Sequence, residues 1–292
     1  MANQDRRSAI KNIIAGSASV ISAGVLSSFT QSEKTVSTQL KGNINHSVCA
    51  WCYKIPLEEL CIAAKKIGIT AIDLVGSEGW PTLKKHGLHS SMCNGAEINL
   101  TDGFNDKKNH AKLFENYSKM IPMVAEAGYT NLICFSGNKR QLDDETGWAN
   151  CVEGLKPIVA IADKHKVVIA MELLNSRFDH KDYQCDRTSW GVELVKRINS
   201  PSFKLLYDIY HMQIDEGDVI RTIQKNHQYF SHYHTGGVPG RAEIDETQEL
   251  YYPAIMKAIL ATGYKGYVGQ EFVPKRVDKL ASLQQGVQIC DI

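Results

Sequence analysis

Residues 167–175 read VVIAMELLN, a run that is apolar except for Glu172 and Asn175. Such a short apolar run is typical of a strand that is buried on both faces of a parallel sheet. Helical patterns lie on either side of it, over residues 144–165 and 188–198. Helices that alternate with strands in this way predict an α/β fold with a parallel sheet.

The same unit recurs along the rest of the chain. The pattern predicts eight strands, each followed by a helix, at residues 44–50, 71–75, 88–92, 131–136, 167–174, 204–208, 229–235 and 266–272. Eight units in about 250 residues favour a closed (β/α)8 TIM barrel over an open doubly wound sheet. We therefore expect a single barrel domain over residues 43–292.

The composition is that of a globular protein without a strong overall charge. Of the 292 residues, 43% are hydrophobic and 22% are charged, and the net charge is +1. This balance argues against a disordered chain, and it gives no long-range attraction to nucleic acid or to an anionic membrane. The eight cysteines are scattered and do not suggest a disulfide framework, so we expect most of them to be buried as small hydrophobic residues.

The first thirty residues have the pattern of an export signal. Arg6 and Arg7 are paired, Lys11 follows, and a mildly apolar, serine-rich run extends over residues 13–29. Paired arginines before such a run are typical of a twin-arginine signal. We expect residues 1–30 to direct the protein to the periplasm, with no stable membrane span after processing. Residues 31–42 are polar and are predicted to be a linker.

Ionisable residues stand at the ends of the last four predicted strands, in the order Glu172, Asp208, His234 and Glu271. In a TIM barrel these ends meet at one rim, where the functional groups of such enzymes lie. His232 and His234 are two residues apart and share one face of their strand, and His234 lies nearer the rim.

Three carboxylates and one imidazole at a single point repel one another unless a cation lies between them. The residues therefore predict one divalent metal ion. This set of oxygen and nitrogen ligands favours Mn²⁺, Mg²⁺ or Co²⁺, with Zn²⁺ as a further alternative.

Several motifs in the second half of the chain resemble the hydroxypyruvate isomerase family. They are YDIYHMQI (residues 207–214), VPGR (residues 238–241) and GYKGYVGQEFVP (residues 263–274). That family belongs to the xylose isomerase-like TIM barrels, together with the ketose 3-epimerases. Hydroxypyruvate isomerases usually carry Gln where this chain has His234, and histidine there is more similar to the ketose epimerases.

The resemblance implies roles for six residues. Glu172 and Glu271 would be metal ligands and also the catalytic acid and base, while Asp208 and His234 would complete the metal shell. His211 and Arg241 would bind oxygen atoms of the substrate.

The resulting hypothesis is a metal-dependent isomerase that interconverts an aldose and a ketose, or related hydroxy-carbonyl compounds, through a cis-enediolate. Its partner is a small sugar or hydroxy-carbonyl substrate, and the oligomeric state is left open. A ketose 3-epimerase or an inosose dehydratase-like lyase on the same barrel is the first alternative. The second is an exported sugar-binding protein without turnover. A related DNA endonuclease would need further metal ligands and a basic DNA-binding face, which this composition does not favour.

Overall fold

Seven parallel strands form one sheet in the computed structural model, which describes residues 39–292. In chain order they are β1 Asn45–Cys49, β2 Ala71–Asp73, β3 Asn131–Cys134, β4 Val168–Glu172, β5 Phe203–Asp208, β6 Phe230–Thr235 and β7 Tyr267–Gln270. Their order in the sheet is β2-β1-β7-β6-β5-β4-β3. The strands are buried almost throughout, which explains their apolar sequences.

Residues 88–92, predicted to be the third strand, form no regular strand in the described chain, and the prediction of eight regular strands is wrong at this position. The segment nevertheless occupies the place of that strand. The backbone N–H groups of Ile72 and Leu74 donate to the carbonyls of His89 and Met92, at 2.9 and 2.8 Å. Farther along, the N–H of Cys93 donates to the carbonyl of Asn131 at 2.9 Å.

These hydrogen bonds join β2 to β3 and close the sheet, so the predicted TIM barrel is confirmed. Both serines of this segment use their hydroxyl groups in buried hydrogen bonds. Ser90 donates to the carbonyl of Met92, and Ser91 donates to the carboxylate of Asp73. Such side-chain bonds compete with a regular strand ladder.

Helices cover the outside of the barrel. They are α1 Leu57–Ile67, α2 Trp80–Lys85, α3 His110–Glu126, α4 Asp144–His165, α5 Thr188–Ile198, α6 Ile209–Asp215, α7 Val219–Asn226, α8 Tyr252–Ala261 and α9 Lys279–Cys290. In α1 the apolar residues Leu60, Cys61, Ala64 and Ile67 share one face and are buried. None of the described helices is both long enough and apolar enough to cross a membrane.

The cysteines follow the prediction, since all eight are buried and carry free thiols. The predicted export segment, residues 1–30, and most of the predicted linker lie outside the described residues. Leu40, near the end of that linker, packs against the barrel core, and the N–H of Lys41 donates to Asp291 Oδ2 at 2.8 Å.

Candidate active site

Four strand ends bring three acids and one histidine together at the rim of the barrel. Glu172 ends β4, Asp208 ends β5, His234 lies in β6, and Glu271 directly follows β7. Each side chain offers one ligand atom, and these atoms all lie within 4.8 Å of one another. All four residues are buried. The structure thus assembles the set that the sequence singles out.

Arg241 is the cation that pairs with these acids in the described chain. Its Nη2 lies 2.9 Å from Asp208 Oδ2 and 2.5 Å from Glu271 Oε2. One guanidinium cannot balance three buried carboxylates, and even a protonated His234 beside Glu271 would leave one negative charge uncompensated, which is costly for a buried group. The cluster therefore has an excess of negative charge that suits a divalent cation.

The pKa directions express the same imbalance. Burial raises the pKa of Glu172, and the charge of Glu271 adds to the rise. Burial also raises the pKa of Asp208 well above its usual range, although Arg241 opposes this. For Glu271, Arg241 and His234 outweigh the effect of burial and hold its pKa well below the usual range.

The ring of His234 is oriented like that of a metal ligand. Its Nε2 lies 3.3 Å from Asp73 Oδ2, while Nδ1 lies 2.6 Å from Glu271 Oε2 and 3.7 Å from Glu172 Oε1. No hydrogen bond within the described chain satisfies this buried Nδ1. A metal-bound histidine usually donates its other ring N–H to a carboxylate, as the contact with Asp73 allows. The donor set therefore fits a divalent cation.

Asp73 is a residue of the site that the sequence analysis missed. It ends β2, is fully buried, and its Oδ2 also lies 2.7 Å from His232 Nε2 and accepts the hydroxyl of Ser47 at 2.9 Å. A Cβ atom at Gly269 would lie 2.4 Å from this carboxylate, so the glycine allows the close approach. The signal in the sequence is a single acid within an otherwise apolar strand.

His232 belongs to the contacts around Asp73. The structure places its Nε2 against Asp73, whereas His234 is the histidine that meets the three acids. Asp73, His232 and His234 also form a group with metal-ligating atoms close together. Their mutual hydrogen bonds already occupy those atoms on the Asp73 side, so this group does not require an ion.

The ring of His211 is held between Asn175 and Arg241. Asn175 Nδ2 lies 2.6 Å from His211 Nδ1, and that amide is fixed because its Oδ1 accepts the N–H groups of Phe178 and Asp179. Burial lowers the pKa of His211 well below its usual range, so the ring is neutral. The amide donates to Nδ1, and the ring hydrogen is therefore assigned to Nε2.

His211 Nε2 lies 2.5 Å from Arg241 Nη1, so no oxygen atom fits between these two nitrogens. Of the two side chains, Arg241 lines the cavity and can donate to an oxygen atom there, while His211 supports it from behind. This arrangement suits an oxygen that gains negative charge during a reaction.

A cavity of about 380 Å³ opens beside the cluster. Glu172, Glu271 and Arg241 line it, and Trp51 stands at its edge. The indole N–H of Trp51 donates to Glu271 Oε1 at 2.9 Å. His211 lies buried behind Arg241 and is not among the residues found to line this cavity in the described chain.

Comparisons with known proteins agree with this arrangement. A family model described as the xylose isomerase-like TIM barrel matches residues 62–290. The hydroxypyruvate isomerase of Escherichia coli (strain K12) is 29% identical over 127 residues, which cover 44% of this chain and 48% of that enzyme. The chain thus spans about half the length of this relative.

Two further proteins extend the similarity. A D-psicose 3-epimerase from Ruminiclostridium cellulolyticum is 29% identical over 187 residues, which cover 60% of each chain. The crystal structure of an AP endonuclease, family 2, from Brucella melitensis has a TM-score of 0.74 at 23% identity, and the match covers 84% of this chain and 99% of that one. At this identity the last match concerns the fold alone.

We expect His234→Ala to abolish the binding of Mn²⁺ to the purified protein, because it removes the only metal-ligating nitrogen in the described group of four candidate ligands. His232→Ala is the matched control and should retain binding, since that ring contacts Asp73 instead. Isothermal titration calorimetry measures both affinities. The opposite pattern would mean that His232 is the ligand.

We expect Asp73→Asn to weaken Mn²⁺ binding by about 10–100-fold, the usual effect of removing the carboxylate behind a ligating histidine. The amide keeps the size of the side chain but loses the charge that orients His234. Ser47→Ala removes a neutral hydrogen bond to the same carboxylate and should have a smaller effect. Equal affinities for the wild type and Asp73→Asn, in calorimetry, would exclude this orienting role.

Proposed function

The chain belongs to the xylose isomerase-like TIM barrel family, and we propose that it is a divalent-metal-dependent isomerase of a sugar or hydroxy-carbonyl compound, similar to hydroxypyruvate isomerase. One observation carries the proposal: two glutamates face one cavity beside a ligand set for a cation, and Arg241 lines the same cavity. Barrels of this kind support many reactions, so the site and not the fold decides the function.

Glu172, Asp208, His234 and Glu271 would hold the ion, with Mn²⁺, Mg²⁺ or Co²⁺ preferred and Zn²⁺ as a further alternative. A divalent cation bound there would polarise a carbonyl group and an adjacent hydroxyl group of the substrate and acidify the carbon-bound hydrogen between them. The position of His234 Nδ1, which faces Glu271 and Glu172, and the excess of carboxylates support this proposal.

The two glutamates are held differently, and this difference suggests how they share the proton transfer. Glu271 accepts hydrogen bonds from Trp51 and Arg241, which fix its position. Glu172 has no described hydrogen bond to its side chain and lines the cavity. Glu271 is thus held in place by two described donors, whereas Glu172 faces the cavity without one.

In the proposed reaction one glutamate removes the carbon-bound hydrogen and leaves a cis-enediolate. Arg241, which lines the cavity and contacts His211, donates to the oxygen atom that becomes negative. Return of the proton to the neighbouring carbon, with transfer of a hydroxyl proton between the two oxygens, converts an aldose into a ketose. No atom is gained or lost in this sequence.

A 3-epimerase is the second candidate, because the two carboxylates end different strands and can reach a substrate from different sides. A proton removed by one glutamate and returned by the other to the opposite face would invert the carbon. His234 and the similarity to the D-psicose 3-epimerase favour this alternative. An inosose dehydratase-like lyase would use the same acids but lose water. The complete acid–base set counts against a sugar-binding protein without turnover.

We expect Glu172→Gln and Glu271→Gln each to lose most turnover, about 10²–10⁴-fold, because glutamine cannot accept the proton. Both variants should keep the fold, since glutamine has the same size. Exchange of the substrate's carbon-bound hydrogen with solvent deuterium, followed by NMR, measures the proton transfer directly. Near wild-type exchange in both variants would contradict the assignment of these glutamates.

We also propose that the protein is exported to the periplasm, and this rests on the sequence of residues 1–30 alone. Replacing Arg6 and Arg7 with lysine should leave the protein in the cytoplasm, because the twin-arginine pathway requires the arginine pair. A reporter fused after residue 42 and followed by cell fractionation tests this. Periplasmic accumulation of the lysine variant would exclude this route.

A further inference from the structure

The cavity beside the acids is larger than a three-carbon substrate requires. Its volume of about 380 Å³ lies within the range of roughly 300–1,000 Å³ that is usual for pockets that bind small organic ligands. A six-carbon sugar has about twelve non-hydrogen atoms and hydroxypyruvate has about seven, so the cavity has room for a substrate that extends beyond the reacting carbons.

The additional space lies over the half of the barrel that carries none of the four candidate ligands. Leu74 follows β2, Phe135 follows β3, and both line the cavity. Around the barrel, β2 and β3 are joined through residues 89–93, opposite β5, β6 and β7. A substrate whose reacting carbons lie between Glu172 and Glu271 would extend its other end toward this region.

Two polar side chains line the cavity in that region, and each has an unused acceptor. Asn94 Oδ1 is buried and has no hydrogen-bond partner within the described chain. Glu97 Oε2 accepts the N–H of Gly95 at 2.8 Å, and no other described hydrogen bond reaches the carboxylate of Glu97. A buried acceptor such as Asn94 Oδ1 normally has a donor, and hydroxyl groups of a bound sugar would supply one there and would also reach the partly exposed carboxylate of Glu97.

The charge of the cavity selects against anionic groups. Arg241 is the only arginine or lysine found among the lining residues that the structure describes, and Asp208 and Glu271 already engage it. His180 also lines the cavity, but burial lowers its pKa and Arg241 adds to this effect. A phosphate or carboxylate near Glu97 would therefore meet a negative charge without a cation to balance it.

Apolar side chains complete the wall around Asn94 and Glu97. Leu100 and Phe135 lie there, and they suit the C–H surface of a sugar, while the two polar residues suit its hydroxyl groups. An extended anion would use neither feature.

We propose that Asn94 and Glu97 form a distal subsite that binds hydroxyl groups of an uncharged sugar of six or more carbons. The subsite discriminates against sugar phosphates and against three-carbon keto acids. This inference rests on the proposed function, because it takes Glu172 and Glu271 as the reacting end of the cavity.

The test compares wild type, Glu97→Ala and Asn94→Ala, all loaded with Mn²⁺. The probes are the uncharged ketohexoses D-fructose, D-psicose, D-tagatose and D-sorbose, together with D-fructose 6-phosphate and hydroxypyruvate. Exchange of carbon-bound hydrogen with deuterium gives kcat/KM for each probe. Saturation-transfer NMR on the same samples reports binding independently of turnover.

For wild type we expect at least one ketohexose to exceed both anionic probes by tenfold or more in kcat/KM. Glu97→Ala should lower kcat/KM for that ketohexose by about tenfold to a hundredfold, chiefly through KM, because it removes a hydrogen bond to a charged group. Asn94→Ala should lower it less. Hydroxypyruvate is too short to reach this wall, so its kcat/KM should change by less than about twofold in either variant.

Glu97→Lys reverses the charge of this side chain. It should raise kcat/KM for D-fructose 6-phosphate, relative to kcat/KM for D-fructose, by at least tenfold. Glu115→Ala, on the outside of α3, is the control and should change none of these values, since its ion pairs with Lys112 and Lys119 are exposed.

Three results would overturn the proposal of a distal subsite. Wild type could have a higher kcat/KM for hydroxypyruvate or D-fructose 6-phosphate than for every ketohexose, or Glu97→Ala could lower kcat/KM equally for short and long probes. The third result is that no ketohexose binds to wild type. Failure of the proposed function has a different pattern. No probe would then exchange hydrogen, yet a ketohexose would still bind to wild type and bind more weakly to Glu97→Ala.

Discussion

The contact between Asp73 and His234 connects the barrel to its site. Asp73 ends β2 and His234 lies in β6, so their contact crosses the interior of the barrel. It requires a closed sheet, and closure depends on the irregular segment at residues 89–93, which bonds to β2 and to β3. It also requires a glycine at position 269, because a side chain there would collide with both partners. The ring that results has one nitrogen held by a carboxylate and the other directed at the acids.

The acids impose the second constraint, because three carboxylates are buried around one arginine. Arg241 binds Asp208 and Glu271 and thereby leaves Glu172 without a cationic partner of its own in the described cluster. The same arginine contacts His211 Nε2 and lines the cavity. Charge balance, proton transfer and binding of a negative oxygen therefore depend on one side chain, which the loop after β6 supplies. A divalent cation would relieve the remaining negative charge.

The candidate proton-transfer residues and the proposed distal subsite come from different halves of the barrel. The carboxyl ends of β4 to β7 carry the acids and the histidine, whereas Asn94 and Glu97 follow the closing segment between β2 and β3. Because of this division, changes in the loops on one side would alter which substrate binds. The residues that transfer the proton on the other side would stay the same. Selectivity between a short keto acid and a longer uncharged sugar would thus depend on Asn94 and Glu97, and not on Glu172 or Glu271.

The sequence by itself determined the barrel and the four strand-end residues, because burial on both faces makes parallel strands apolar and leaves their polar ends conspicuous. It predicted residues 88–92 as a regular strand, since an apolar periodicity does not show that serine side chains will bond to nearby groups. It missed Asp73, because one acid in a short strand has no partner along the chain, and His232 and His234 come near it only through the closed barrel. The directions of the His234 and His211 rings, and the unused acceptors of Asn94 and Glu97, were decided by tertiary structure alone. Hydrogen bonds and charge pairs between distant segments depend on distances in space, and a linear sequence does not specify these distances.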